Sequence, residues 1–111
     1  MRVLAYEDNL LWSSRLKISL TNLGHEALLR TRPSAEHAEV AIVNLGAESL
    51  THQTLVPQLR ELGVIVIGHA GHKEKDLHQL GREAGCDILA TNSELTHKIE
   101  SLLERAAQLR Q

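Results

Sequence analysis

The chain reads EVAIVNL from Glu39 to Leu45, and five of these seven positions are apolar. A strand that exposes one face alternates apolar and polar residues, whereas the strands of a covered parallel sheet are buried on both faces. The stretch Val64–Ile67, VIVI, has the same character. Together the two runs predict central strands of a parallel sheet with helices on both of its faces.

Amphipathic stretches separate the apolar runs along the chain. The clearest follows the first strand, where Trp12, Leu16, Leu20 and Leu23 recur at helical spacing and share one face. The predicted strands are 3–6, 26–30, 39–45, 64–67 and 87–91, and the predicted helices are 10–23, 55–62, 73–84 and 93–109. Pro57 is expected in the first turn of its helix, where a missing N–H costs little. This alternation predicts an α/β fold in three layers.

One connection is too short for this pattern. About eight residues, 31–38, separate the second and third strands, whereas a crossover with a full helix needs about a dozen. We therefore expect the helix between these strands to be lost or shortened. The sheet face below it would then be poorly covered, and the apolar patch would favour an interface or a homodimer.

Composition excludes several classes of function. The 111 residues predict one domain, 1–111, with a net charge of -2 that offers no basic footprint for nucleic acid. Aromatic residues make up 2%, too few for a base-stacking surface, and Cys86 is alone, so no disulfide framework is expected. No stretch has membrane-spanning length and the N-terminus has no secretory signal, which predicts a cytoplasmic protein without a membrane partner.

The sequence resembles the receiver domain of two-component response regulators, the CheY-like family. The resemblance covers nearly the whole chain apart from the short crossover. Five segments carry it: Arg2–Asn9 (RVLAYEDN), Leu20–Glu26 (LTNLGHE), Glu39–Leu45 (EVAIVNL), Gly63–Gly68 (GVIVIG) and Ala84–Asp87 (AGCD). It implies a single flavodoxin-like domain with strand order 2-1-3-4-5. It also implies a site at the carboxyl ends of the strands, as the general rule for open α/β sheets requires.

The resemblance also assigns the positions of the family's phosphorylation site. Glu7 and Asp8 match the acidic pair that holds Mg²⁺. Asn44 stands where the family has its phosphoacceptor Asp, and Gly68 where it has a Thr or Ser. The family's Lys is replaced by Asn92, or by Thr91 if the register slips by one residue. Leu89 stands at the position of the switch aromatic.

These replacements change the expected chemistry. An amide is neutral and its nitrogen lone pair is delocalised, so Asn44 cannot act as the carboxylate nucleophile. The cation and the hydroxyl that would stabilise a phosphoryl group are also missing. The sequence therefore predicts a pseudo-receiver: a stand-alone, phosphorylation-independent signalling and protein-interaction module that is not an enzyme and needs no cofactor.

Histidines suggest an alternative function. His69 and His72 follow the fourth strand in the loop HAGH, on the same rim as Glu7 and Asp8. Imidazole and carboxylate groups together suit a divalent metal such as Zn²⁺. Under this alternative the domain is a metal or small-ligand sensor, or a small hydrolase.

The partner-binding surface is expected from the resemblance. In the family, the face made by the fourth helix, fifth strand and fifth helix binds partners and forms dimers. The matching residues here are Lys73, Lys75, Leu89, Thr91, His97 and Glu100. The expected partners are proteins, such as a signalling kinase or an output protein, or a second copy of the chain.

Overall fold

A computed structural model describes residues 1–110, which contain five strands and five α-helices. The strands are β1 (Arg2–Tyr6), β2 (Glu26–Arg30), β3 (Val40–Asn44), β4 (Ile65–Ala70) and β5 (Ile88–Thr91). The helices are α1 (Leu10–Asn22), α2 (His52–Glu61), α3 (Lys75–Ala84), α4 (Asn92–His97) and α5 (Ile99–Leu109), with a 3₁₀ turn at Glu48–Leu50. Within this part of the chain, no helix combines the length and apolar character needed to cross a membrane.

All strand pairs are parallel, and the order is β2-β1-β3-β4-β5. This confirms the predicted single α/β domain with its flavodoxin-like sheet. The central strand β3 has four fully buried residues, as its apolar run predicts. Helix α1 begins where expected because the Asn9 side chain accepts a hydrogen bond from Trp12 N at 3.1 Å.

Two apolar layers hold the sheet between the helices. One layer packs alternate strand residues such as Val3 and Ile42 against α1, α4 and α5. The other packs residues such as Leu4 and Val43 against α2 and the end of α3. The three-layer arrangement follows from strands that bury both faces.

The β2–β3 crossover contains no helix, as predicted from its length. The expected apolar patch, however, is not left open. The extended segment 31–39 lies over this face, with Ala35 and Ala38 packed against the core, and Tyr6 donates its hydroxyl to Ser34 O at 2.6 Å. Large exposed apolar side chains lie instead on α1 and at the end of α5.

Several predicted boundaries were wrong. Helix α2 begins at His52 rather than Leu55, so Pro57 lies in mid-helix instead of the first turn. The helix predicted over 93–109 is divided at Lys98, which has non-helical dihedral angles (φ −129°, ψ 28°). Neither Gly nor Pro marks this break, and the apolar spacing passes through it unchanged. Strand β4 continues past its apolar run to Ala70 because β3 and β5 pair with it on both sides.

Candidate functional site

Polar side chains meet at the carboxyl ends of the central strands. Glu7 follows β1, Asn44 ends β3, His69 lies in β4 and Asn92 follows β5. The register places Asn44 directly beside His69. The structure brings these residues together at the edge of the sheet where the sequence analysis expected a site.

Glu7 and Asn44 form the centre of the site. Asn44 Nδ2 lies 2.9 Å from both carboxylate oxygens of Glu7, and Asn9 N donates to Glu7 Oε2 at 3.1 Å. Glu7 is only 2% exposed, so these donors replace the water that its carboxylate would otherwise bind. Asn44 Oδ1 accepts from Gly46 N at 2.9 Å, which fixes the orientation of the amide.

The two carboxylates of the predicted acidic pair have different partners. Glu7 points into the site, but Asp8 is exposed and accepts a hydrogen bond from Ser49 Oγ at 3.1 Å. Adjacent residues leaving a strand point to opposite sides, which explains the separation. The two carboxylates therefore have different surroundings.

His69 lies beside Asn44 on the neighbouring strand, β4. It is 2% exposed and lies within β4, although the sequence analysis placed it in the loop after the fourth strand. His69 Nδ1 lies 2.7 Å from Asn92 Oδ1, and an amide oxygen only accepts, so Nδ1 carries the proton. The Trp12 ring lies over His69, with 5.9 Å between ring centroids. Burial lowers the pKa of His69, although the hydrogen bond to Asn92 and the charge of Glu7 oppose this shift.

Gly68 faces the other side of the sheet from His69. A Cβ atom at Gly68 would lie 2.7 Å from Cys86 Sγ and 3.2 Å from Leu45 Cδ1. The residue of β4 that shares a face with Asn44 is therefore His69, and the Gly68 position matched by the resemblance does not contribute to this site.

The sequence left open whether Thr91 or Asn92 stands at the position of the family's Lys, and the structure gives the two side chains different roles. Thr91 Oγ1 accepts from Glu94 N, and Thr91 N donates to Glu94 Oε1, both at 3.0 Å. This capping box starts α4 and occupies the Thr91 side chain. Asn92 is the residue whose side chain reaches the site, through His69.

The predicted metal ligands are not brought together. His72 is exposed beyond the end of β4, whereas His69 is buried inside the strand. Across residues 1–110, no three His, Cys, Asp or Glu side chains are grouped so that they could hold a metal ion. The arrangement of Glu7, Asp8, His69 and His72 therefore does not fit a metal centre, because one carboxylate is turned away and one imidazole is outside.

The residues of the predicted partner face lie on both sides of the sheet, next to its edge strand β5. Lys73 and Lys75 are exposed at the start of α3. Leu89 faces the same side, because a Cβ at Gly81 of α3 would lie 2.9 Å from Leu89 Cδ2. His97 and Glu100 border a groove beside the end of α1, across the sheet. Thr91 caps a helix, as described above. Lys73, Lys75 and Leu89 thus lie on one side of the sheet, and His97 and Glu100 lie on the other.

Known structures identify the fold. No family model and no curated protein sequence matches the chain. The receiver domain of TorR, the response regulator of the TMAO respiratory system, superposes with a TM-score of 0.77 at 20% identity, covering 95% of this chain and 98% of that one. TadZ from Pseudomonas aeruginosa, a CheY-like protein, gives 0.77 at 18% identity, covering 96% and 98%. NtrX from Brucella abortus, solved with ADP, gives 0.83 at 11% identity.

These likenesses show a CheY-like receiver fold. The chain spans nearly the full length of the two small domains, and 98% of it aligns with only 27% of NtrX.

Proposed function

We propose that the chain is a receiver-like module that transmits signals by binding a protein, independently of phosphorylation. The observation that carries this proposal is the contact of Asn44 Nδ2 with both oxygens of Glu7, at 2.9 Å each. The Asn44 amide stands at the position of the family's nucleophile. It also donates hydrogen bonds to the Glu7 carboxylate, which would otherwise help to hold a metal ion. The module is accordingly not an enzyme.

The chemistry of phosphoryl transfer supports this proposal. The attacking atom must be an oxygen with an available lone pair, and the developing charge needs a metal ion and a cation. Asn44 supplies only an amide. Asn92, at the position matching the family's Lys, is neutral and paired with His69. A receiver fold without these groups retains surfaces that a protein can recognise.

We further propose that the module acts in the cytoplasm with a signalling kinase or an output protein. No observation favours the alternative of a metal sensor or a small hydrolase. Among residues 1–110, no three His, Cys, Asp or Glu side chains are grouped so that they could hold a metal ion.

An NMR titration tests the proposal. The ¹H–¹⁵N spectrum is recorded with Mg²⁺ and beryllofluoride, a mimic of the phosphoryl group, and separately with Zn²⁺. We expect the amides of Glu7, Asn44 and His69 to stay in place throughout. A receiver domain with an intact phosphoacceptor Asp, titrated in parallel, verifies the reagent. Saturable shifts at Asn44 with beryllofluoride would overturn phosphorylation independence, and shifts with Zn²⁺ alone would favour the metal sensor.

A further inference from the structure

The outer edge of β2 has no neighbouring strand. Glu26 N and Arg30 O both bond to the backbone on the β1 side, so alternate residues of β2 face β1. The backbone N–H and C=O groups of Ala27 and Leu29, which lie between them, point away from the sheet. Within residues 1–110, β2 ends the sheet, and no backbone group bonds to Ala27 or Leu29 from outside. Leu29 O accepts from Arg30 Nη1 at 2.9 Å and keeps a second lone pair.

The segment that follows β2 does not cover this edge. Ser34 O accepts from the hydroxyl of Tyr6, which ends β1. Glu39 N donates to Arg2 O, at the start of β1, at 3.2 Å. Segment 31–39 therefore runs back along β1 and leaves the far side of β2 open. A free strand edge is a template for pairing with another chain.

The sequence of β2, EALLR, is complementary to itself in the antiparallel direction. A two-fold axis at Leu28 places Ala27 opposite Leu29 of a second copy, and their outward N–H and C=O groups then bond reciprocally. The same register places Glu26 opposite Arg30 of the second copy on both sides of the axis. These side chains share one face of the strand with Leu28, and opposite charges directly across a strand pair attract.

The charges specify this arrangement over others. A parallel pairing in register would place Glu26 opposite Glu26 and Arg30 opposite Arg30, where like charges repel. A shift of the antiparallel register by two residues would separate Glu26 from Arg30. Within its own chain, Arg30 binds Glu36 through Nε and Nη2. Because a guanidinium has five N–H donors, the same Arg30 can also donate to Glu26 of the second copy.

We propose that β2 pairs antiparallel with β2 of a second copy, so that two sheets join into one. This inference goes beyond the proposed function and does not depend on phosphorylation. The sheet face expected to favour a homodimer is covered by segment 31–39, so the edge of the sheet carries the contact instead. Strands β2 and β5 lie at opposite edges, which leaves the residues beside β5 accessible to a protein partner. The paired strands have only five residues each, so we expect a reversible dimer with a Kd of about 10–100 µM.

Charge exchange tests the pairing. Sedimentation velocity of the full chain over a concentration series measures the Kd of the dimer. Glu26→Lys and Arg30→Glu should each weaken the dimer about ten-fold, because each places like charges opposite one another twice. An equimolar mixture of the two variants should dimerise as the parent does, since every introduced charge then lies opposite the other sign. Glu61→Lys, the same change at an exposed position of α2, is the matched control and should leave the Kd unchanged.

A backbone variant tests the strand edge itself. Ala27→Pro removes an outward N–H and should abolish the dimer, whereas an edge strand tolerates proline where its N–H faces solvent. Urea midpoints verify that each variant is folded. Arg30→Glu also loses its contact with Glu36, so a poorly folded Arg30→Glu leaves the decision to Glu26→Lys and Ala27→Pro.

Cross-linking tests the register. In a Cys86→Ala background, Leu28→Cys should form a disulfide dimer with oxidised glutathione, which accepts the two electrons. The Leu28 backbone faces β1, so the two copies of this position form a closely spaced pair across the axis. Glu26→Cys should not cross-link to itself, because the two copies of position 26 lie about 13 Å apart along the strands.

Three results would overturn the inference. The first is a parent that stays monomeric up to about 1 mM, far above the expected Kd. The second is a dimer whose Kd neither Glu26→Lys nor Ala27→Pro changes, since it would use another surface. The third is efficient cross-linking through Glu26→Cys, which would indicate a parallel pairing. The beryllofluoride titration is independent of all three, so the dimer and phosphorylation independence can fail separately.

Discussion

Asn44 Nδ2 bridges both carboxylate oxygens of Glu7, although the two residues are 37 positions apart in the chain. The neutral Asn44 side chain thus donates hydrogen bonds to the buried carboxylate of Glu7. In a receiver with Asp at the position of Asn44, that carboxylate would face a second negative charge. The contact connects the ends of β1 and β3, so it contributes to stability as well as determining the chemistry of the site.

Replacing Asn44 by Asp should destabilise the protein. The change removes the donor to Glu7 and places two carboxylates in contact, so we expect a loss of about 1–3 kcal/mol at pH 7. Mg²⁺ should restore part of this loss in the variant and change little in the parent. Urea unfolding measures both effects. Asn22→Asp, the same change at an exposed position, serves as the control, and an Asn44→Asp variant as stable as the parent would contradict the proposed role of the bridge.

Stability should decrease in mild acid because of His69. Burial lowers its pKa in the folded state below the ordinary value of 6.5, so the unfolded chain takes up the proton first as the pH falls. The free energy of unfolding should be steady above pH 7 and decrease below about pH 6.5. His52, whose pKa is also lowered by burial, adds to the same trend.

A variant separates the contribution of His69. His69→Gln can still donate to Asn92, and it should show a shallower decrease in stability between pH 7 and pH 5 than the parent. His72→Gln changes an exposed histidine and should keep the parent's slope. Equal slopes for His69→Gln and the parent would show that protonation of His69 is not coupled to folding.

Substitutions at Gly68 and Cys86 should have coupled effects on the free energy of unfolding. A Cβ at Gly68 would lie 2.7 Å from Cys86 Sγ, so Gly68→Ala should cost about 1–3 kcal/mol through overpacking. Cys86→Ala removes the sulfur and should lessen the penalty in the double variant. A double-mutant cycle from urea unfolding gives the coupling energy. If the effects of the two substitutions on the free energy of unfolding are simply additive, Leu45 rather than Cys86 limits the space at Gly68.

Tyr6 should hold the segment 31–39 against the sheet. Tyr6→Phe removes the hydrogen bond to Ser34 O, and we expect a loss of about 1 kcal/mol together with faster amide hydrogen exchange in this segment. Burial, with the nearby charge of Glu36, raises the pKa of Tyr6 to about 12. The unfolded chain therefore loses this proton first, so the parent should lose stability above about pH 10, where Tyr6→Phe should lose less. Unchanged exchange in the variant would argue against the tether.

The sequence predicted the site less completely than the fold. It placed Glu7, Asn44 and Asn92 at one edge because the carboxyl ends of parallel strands lie together. It missed the burial of His69, since a strand that continues through Gly68 looks like the start of a loop when read alone. The apolar Ala70 that follows was the available signal. It also missed the separation of Glu7 from Asp8, because the direction of a side chain leaving a strand depends on its neighbours.

Local patterning by itself determined the architecture of this protein: apolar runs at Glu39–Leu45 and Val64–Ile67, one short crossover, and an amide at Asn44 in place of a carboxylate. These features depend on the order and chemistry of residues along the chain. Tertiary structure alone decided which groups meet: Asn44 with Glu7, His69 with Asn92 and Trp12, and segment 31–39 with Tyr6. Each of these contacts joins residues that lie far apart in the chain, so the local pattern of residues does not reveal it.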